Sequence, residues 1–173
     1  MDRYMFKRFK KVRPEQQHAK ALYDWAMAAS RNPEFYGPDA IEDSYDGRVS
    51  FLFLHIGLVL HHLRRFGRDG EVLSQEIYDC MVADFDVALR EQGVADTGVQ
   101  RRIKAIIRLF YGRMKIYHEA AEQGQAALQS TAVETLLGDT PQPKIAAKVE
   151  TYASGLHETL GAAEFEAFTL ADF

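Results

Sequence analysis

The sequence predicts an all-α protein, a single compact bundle of about six to eight helices around a central apolar helix. Three observations support this fold class. Apolar residues recur at helical spacing, no segment shows sustained strand alternation, and Pro or Gly residues separate the periodic segments. A chain of 173 residues with 47% hydrophobic residues is long enough to bury a real core in one soluble domain.

The chain divides into a basic N-terminal arm at 1–13 and a single helical domain at 14–173. The arm mixes six cationic residues with aromatic ones, which suits ribosomal RNA or an anionic membrane surface, and a solvated tail is the alternative. Pro14 stands where a first helical position would be, and an alanine-rich run then predicts a helix over 14–30. A loop rich in proline and glycine follows over 32–39.

The central helix is predicted over about 44–66, and its middle is apolar on every side, as expected of a helix enclosed by others. Its longest apolar run, 51–63, would rise only about 20 Å as a helix, whereas a bilayer core is about 30 Å thick. The next helix is predicted over 71–91, and Gly93 ends it. These lengths predict a soluble or peripheral protein.

The segment 101–117 holds six basic residues and no acidic one, in a chain whose net charge is −4. At about 100° per residue its apolar side chains fall on one face. The cations on roughly the opposite face are Arg101, Lys104, Arg108 and Lys115. Thr97 and Gln100 have the spacing of a capping box, so this helix is predicted to begin at Thr97. Such a helix buries one face and presents a cationic face to a partner.

Three further helices are predicted, over 125–137, 143–160 and 162–170. Charge is segregated along the chain, since 71–96 carries seven acidic residues and one basic residue, and 149–173 carries five acidic residues and no Lys or Arg. Part of this asymmetry is expected to cancel where helices pack side by side, and the rest would steer an anionic partner towards the basic region. The acidic balance of the whole chain argues against a general nucleic-acid binder.

The histidines of the central helix are the main candidates for ligand chemistry. His55 and His62 are seven residues apart and share a face, whereas His61 points elsewhere. Because His61 and His62 are adjacent in sequence, their side chains are not expected to converge on one metal. Histidines that are partly buried and hydrogen-bonded are the favoured interpretation, and no metal or cofactor is predicted. The alternative function is a haem- or metal-binding helical protein that uses His55, His61 and His62.

Asp84 falls on the inward stripe of its helix, where a carboxylate without a partner would be costly. A cation is therefore expected to face it, supplied by Arg48 or by the cationic helix. Asp86 lies off that stripe and is expected to be solvated or paired at a helix junction. Cys80 is expected to be an inert core thiol. Because no convergent acid, base and nucleophile occurs, we predict no enzyme and assign no catalytic residue.

A series of short motifs runs in order over 45–117. The motifs are Tyr45-Asp46-Gly47-Arg48, Leu54-His55, Leu63-Arg64, the runs 81–86 and 89–94, Asp96, and Phe110-Tyr111-Gly112-Arg113. In this order and spacing they resemble the ubiquinol–cytochrome c chaperone family, bacterial relatives of a mitochondrial assembly factor for cytochrome b. Val82 stands where the family has Phe, and Phe85 and Gln92 stand where it often has Met.

The resemblance implies an assembly chaperone for the respiratory bc1 complex, which binds newly made cytochrome b and holds it until later subunits join. It also implies a second assembly factor and a contact with the ribosome or RNA, because the mitochondrial relatives act with a partner protein near the ribosomal tunnel exit. An anionic membrane surface is a further expected partner, for a protein that is cytoplasmic and peripheral at the inner membrane.

The expected site residues fall into two groups. The expected partner-binding residues are Arg101, Arg102, Lys104, Arg108, Tyr111, Arg113 and Lys115. Structural roles within the family motifs are expected of Tyr45, Asp46, Gly47, Arg48, Asp84, Asp86, Gly93, Phe110 and Gly112.

Overall fold

A computed structural model of the protein describes residues 13–173, so the predicted basic arm, apart from Arg13, lies outside the described residues. The described part contains no β-strand, which confirms the all-α fold. Its helices are α1 (Pro14–Ala29), α2 (Tyr45–Leu63), α3 (Gly67–Glu91), α4 (Asp96–Gln123), α5 (Gln125–Leu137), α6 (Pro143–Ala162) and α7 (Phe165–Leu170). Single turns of 3-10 helix occur at Pro33–Phe35 and Arg64–Phe66.

Helix α2 is the centre of the bundle, as predicted from its apolar sequence. Every residue over 51–59 is buried, and the helix packs against α1, α3, α4, α5 and α6. The Ser44 hydroxyl accepts a hydrogen bond of 3.2 Å from the Gly47 backbone N–H, which caps the N-terminus of α2. The 3-10 turn that follows Leu63 completes the segment predicted over 44–66.

The other helices form two groups around α2. Helix α1 packs along α3 and against α7, whereas α4 packs along α5, and α5 packs along α6. Aromatic side chains from several segments meet α2, with the Phe35 ring centroid 5.0 Å from that of Phe51 and 4.7 Å from that of Tyr152. The arrangement buries the apolar face of α4 and leaves its cationic face on the outside of the bundle.

Three predicted helix starts were wrong. The last helix was predicted over 162–170, but α6 continues to Ala162 and α7 begins at Phe165. Helix α4 begins at Asp96 after Ala95, with no capping hydrogen bond from a side chain, so the predicted capping box at Thr97 is not formed. Helix α3 begins at Gly67 instead of residue 71. In α3 and α4 an aspartate, Asp69 or Asp96, lies in the first turn, where its charge interacts favourably with the helix dipole. Among residues 13–173 no helix is both long enough and apolar enough to cross a membrane.

Candidate functional site

The outward face of α4 carries the cations that were predicted to bind a partner. The exposed cations are Arg101, Arg102, Lys104, Arg108 and Lys115. On the opposite face Phe110 and Tyr117 are buried, and Ile103, Ile106 and Met114 pack against the core. The predicted orientation of this helix is therefore confirmed, and we call its outward surface the cationic face.

Little of this charge is neutralised by neighbouring carboxylates. Lys115 Nζ lies 3.8 Å from Glu119 Oε1, an exposed pair on the same helix, and such pairs stabilise weakly. For the other four cations, no carboxylate oxygen within the described range lies at ion-pair distance. The cancellation expected between neighbouring helices is thus absent from the cationic face.

The acidic end of α3 pairs with its own arginine. The Arg90 guanidinium binds Asp86, with Nε 2.7 Å from Oδ2, and also binds Asp96 at the start of α4. This arrangement confirms the expectation that Asp86 pairs at a helix junction. Gly93 makes the turn at this junction with a φ of +75°, a conformation that favours glycine. Arg90 therefore neutralises two carboxylates at this helix junction.

An apolar groove lies beside the cationic face, between the first turn of α2, the end of α3 and the start of α4. Its volume is about 440 Å³. It is lined by Tyr45, Asp46, Leu89, Gln92, Arg102, Ala105 and Ile106, and we call it the Tyr45 groove. The Tyr45 ring is partly exposed and lies edge-on to Phe85, with 6.5 Å between ring centroids. Arg102 and Asp46 bring opposite charges to the rim of an otherwise mainly apolar surface.

A second groove of about 550 Å³ lies further along α4, where it packs on α2 and α3. Its aromatic wall consists of Tyr78, Phe110 and Tyr111, and its polar wall includes His61 and His118, so we call it the His118 groove. Tyr111 is 58% exposed, although its ring centroid lies 5.9 Å from that of Tyr78. Next to it, the predicted partner-binding residue Arg113 is only half-buried, and its Nε finds no hydrogen-bond partner in the described chain.

The glycines of the family motifs differ in what surrounds them. A Cβ atom at Gly47 would lie 2.1 Å from the Glu42 carbonyl oxygen, so the turn into α2 requires glycine. A Cβ atom at Gly112 would meet no atom within 4 Å. Packing therefore explains the glycine at position 47 and gives no reason for the one at position 112.

The predicted surroundings of Asp84 were wrong. Asp84 is exposed on α3 and faces α1, where the Tyr23 hydroxyl donates a hydrogen bond of 2.9 Å to Asp84 Oδ2. Burial and the adjacent Asp84 carboxylate both raise the pKa of Tyr23. Arg48 does not reach Asp84, because it pairs with Asp43 at 2.7 Å and stacks over the Tyr36 ring. The buried stripe of apolar side chains on α3 is narrower than the sequence implied, and Asp84 lies at its edge.

His55 is the histidine whose burial and hydrogen bonding were predicted best from the sequence. It is fully buried, and its Nδ1–H donates to the Phe51 carbonyl oxygen at 2.7 Å. Its Nε2 then accepts a hydrogen bond of 2.6 Å from the Tyr152 hydroxyl. Burial lowers the pKa of His55 to about 4. With both nitrogens occupied inside the protein, His55 does not offer a free atom to a haem or a metal.

The expectation that His61 and His62 would not converge was wrong. Their ring centroids lie 4.7 Å apart, and His157 from α6 approaches both rings. His118 from α4 also approaches His61. The i, i+4 spacing of His118 and Glu122 on α4 is a local signal of this cluster that the sequence analysis missed.

The fold and its surfaces define a helical binding protein, in which open grooves and exposed charge face the solvent. The chain belongs to the ubiquinol–cytochrome c chaperone family, because residues 40–173 match the model of that family. The match confirms the resemblance seen over 45–117 and extends it through the last quarter of the chain. Membership of a chaperone family favours a role other than catalysis.

A solved structure supports the same assignment. The crystal structure of the Cbp3 homolog from Brucella abortus is similar, with a TM-score of 0.75 and 30% sequence identity. The alignment covers 92% of this chain and 89% of that chain, so the likeness extends over nearly the whole bundle. No curated protein matches the sequence.

Proposed function

We propose that this protein is an assembly chaperone for the respiratory bc1 complex, and that it binds newly made cytochrome b and holds it until later subunits join. The observation that carries the proposal is an apolar groove bordered by cations without acidic partners, inside the region that matches the chaperone family. An assembly intermediate of a membrane protein exposes apolar helix surface, and covering that surface is favourable by roughly 25 cal/mol per Å².

The Tyr45 groove is the proposed contact for an apolar client helix. Its lining offers the exposed side of Tyr45 together with Leu89 and Ile106. The cytoplasmic loops of membrane proteins are rich in Lys and Arg. The exposed acidic residues of α3, such as Asp84 and Glu91, have the complementary charge for such loops.

The cationic face is the proposed contact for an anionic surface, and the location that we propose is the cytoplasmic side of the inner membrane, with the protein bound peripherally. Lipid headgroups are the surface that we favour, since each basic residue near an anionic bilayer contributes about 1 kcal/mol. The residues proposed for this role are Arg101, Arg102, Lys104, Arg108 and Lys115, with Tyr111 and Arg113 at the edge. A second assembly factor and ribosomal RNA are further proposed partners.

A substitution at Ala105 tests the groove. Ala105 is exposed on α4 and lies where the Tyr45 groove meets the cationic face. The Ala105→Trp variant is expected to fill the groove and to reduce co-purification of cytochrome b at least tenfold, in cells that make the bc1 complex. The matched control is Ala147→Trp, which places the same side chain at an exposed position of α6.

The readout is the amount of cytochrome b captured after crosslinking in cells, together with the bc1 level in a deletion strain complemented by each variant. Circular dichroism checks that both variants keep the helical fold. Capture of cytochrome b by Ala105→Trp at the level of the Ala147→Trp control would show that this groove does not bind the client. Normal bc1 levels in the deletion strain would overturn the assembly function itself.

A further inference from the structure

Four histidines and a glutamate from three helices meet at one end of the bundle. His61 Nδ1 on α2 lies 2.9 Å from His118 Nδ1 on α4, and 3.9 Å from Glu122 Oε1 on the same helix. On the other side of this group, His62 Nε2 lies 3.0 Å from His157 Nδ1 on α6. Neither the family motifs nor the proposed chaperone function uses these side chains.

The spacing of His61, His118 and Glu122 is that of metal ligands. Their ligand atoms all lie within 4.8 Å of one another. In a tetrahedral zinc site with Zn–N bonds of about 2.0–2.1 Å, neighbouring ligand atoms are about 3.3 Å apart. The separations of 2.9 Å and 3.9 Å lie on either side of that value, and the third pair of atoms lies within 4.8 Å, so side-chain rotation would bring the three atoms to ligand distance. Glu122 is 65% exposed and is free to rotate.

The facing nitrogens of the cluster favour a metal. His61 is half-buried, and its Nδ1 faces His118 Nδ1 at a distance of 2.9 Å. A neutral imidazole offers the lone pair that a transition metal needs. Two imidazole nitrogens that face each other share at most one proton, and a metal ion between them would use both lone pairs.

A second group of three histidines, His61, His62 and His157, is also close enough to share an ion. It is the poorer site, because the Arg65 guanidinium lies 3.0 Å from His62 Nδ1 and its positive charge opposes a cation. This group also lacks a carboxylate. Glu122 supplies the negative charge only to the group that contains His118.

We propose that His61, His118 and Glu122 bind a divalent transition metal of the zinc class, with a fourth coordination position left for water or a ligand. Two histidines and one glutamate are a known ligand set for zinc with an open position. His61 and His118 also line the His118 groove, which gives the ion a route from solvent. The ion would join α2 to α4 at the polar wall of that groove.

The experiment uses the untagged full chain, freed of metal with a chelator and titrated with Zn²⁺ by calorimetry and with Co²⁺ by visible absorption. We expect one equivalent to bind, with the d–d bands of four-coordinate Co²⁺ and a rise in Tm on adding Zn²⁺. The His118→Ala and Glu122→Gln variants are expected to weaken binding at least tenfold. Glu119→Gln is the matched control, since Glu119 is exposed on the same helix and outside the cluster.

His157→Ala separates the two groups of ligands. If His157→Ala abolishes binding while His118→Ala retains it, the ion belongs to the other group and the assignment is overturned. Wild-type protein that binds neither metal below millimolar concentration also overturns it. If His118→Ala fails to fold, Glu122→Gln decides the question because its side chain is exposed, and unchanged binding by that variant overturns the site.

Discussion

His55 shows how a single buried residue links the fold to pH. Its ring lies in the core between α2 and α6, where Phe51 and Tyr152 satisfy both nitrogens and where the charged imidazolium would lose its hydration. The hydrogen bonds keep the neutral form in one tautomer. The folded protein therefore binds a proton at His55 much less readily than the unfolded chain does.

We expect stability to fall as the pH is lowered from about 6.5 towards 4. An unfolded histidine has a pKa of about 6.5, whereas burial lowers the pKa of His55 to about 4. Between these values the unfolded state binds more protons, so His55 accounts for a loss of up to about 2 kcal/mol by pH 5. His62, whose pKa is lowered to about 3 by burial and by the neighbouring His61, His157 and Arg65, acts in the same direction.

Urea unfolding followed by the fluorescence of Trp25, the single tryptophan, measures this pH dependence. His55→Gln serves as the comparison, because glutamine does not titrate between pH 7 and 5 and keeps a polar group near Tyr152. We expect this variant to be less stable at pH 7.5 and to show a flatter loss between pH 7 and 5. Equal slopes for both proteins would contradict the role of His55.

The hydrogen bond between Tyr23 and Asp84 is expected to contribute about 1 kcal/mol to the free energy of unfolding. It joins α1 to α3, although the carboxylate is exposed, so water competes for it. A double-mutant cycle with Tyr23→Phe and Asp84→Ala, read by urea unfolding at pH 7.5, isolates the coupling. Additive effects of the two substitutions would show that the bond does not contribute.

At the scale of the helix, the glycine and proline residues that end the periodic segments predicted most of the elements. The range 125–137 was predicted for α5 and is observed, because Gly124 and Gly138 end the neighbouring periodic segments on both sides. Cross-helix relations were not predictable in this way. His62 and His157 are 95 residues apart in sequence and meet only because α2 and α6 pack together.

The same reason explains the error at Asp84. A helical stripe gives the angle of a side chain around its own axis, but which neighbour covers the edge of that stripe depends on packing. Tyr23 covers that edge, and no local pattern pairs it with a residue 61 positions away. The exposed orientation of Arg108 was predictable, because one amphipathic helix determines it.

Helix α4 is expected to become more stable when Gly112 is replaced by alanine. The position is exposed within the helix and a Cβ atom would touch nothing, so Gly112→Ala should raise the free energy of unfolding by up to about 1 kcal/mol. Gly155→Ala is the matched control, since Gly155 is equally open within α6. Urea unfolding of both variants measures the change. A lower stability of Gly112→Ala alone would reveal a packing role for this glycine.

Over the whole molecule, a net charge of −4 coexists with a face that is strongly positive. The fold keeps this segregation, because Arg90 binds the nearby carboxylates of Asp86 and Asp96 while the cations of α4 stay in solvent. A weakly acidic protein with such a face is repelled by anionic surfaces in most orientations and attracted in one. Orientation therefore depends on where the charges lie and little on their sum.

The cationic face is expected to hold the protein on vesicles rich in phosphatidylglycerol and not on phosphatidylcholine vesicles. Replacing Arg101, Lys104, Arg108 and Lys115 with Glu should weaken co-sedimentation more than tenfold, because four contributions of about 1 kcal/mol each are reversed. The matched control reverses four exposed cations on other faces, namely Lys20, Arg31, Arg68 and Lys144. Both variants change the net charge equally, so a loss of binding confined to the first variant reflects the position of the charges.

Raising the salt from 0.1 M to 1 M shortens the Debye length from about 10 Å to about 3 Å and should release the wild-type protein from the vesicles. Equal losses in both variants, or binding that resists salt, would show that the face does not bind lipid headgroups.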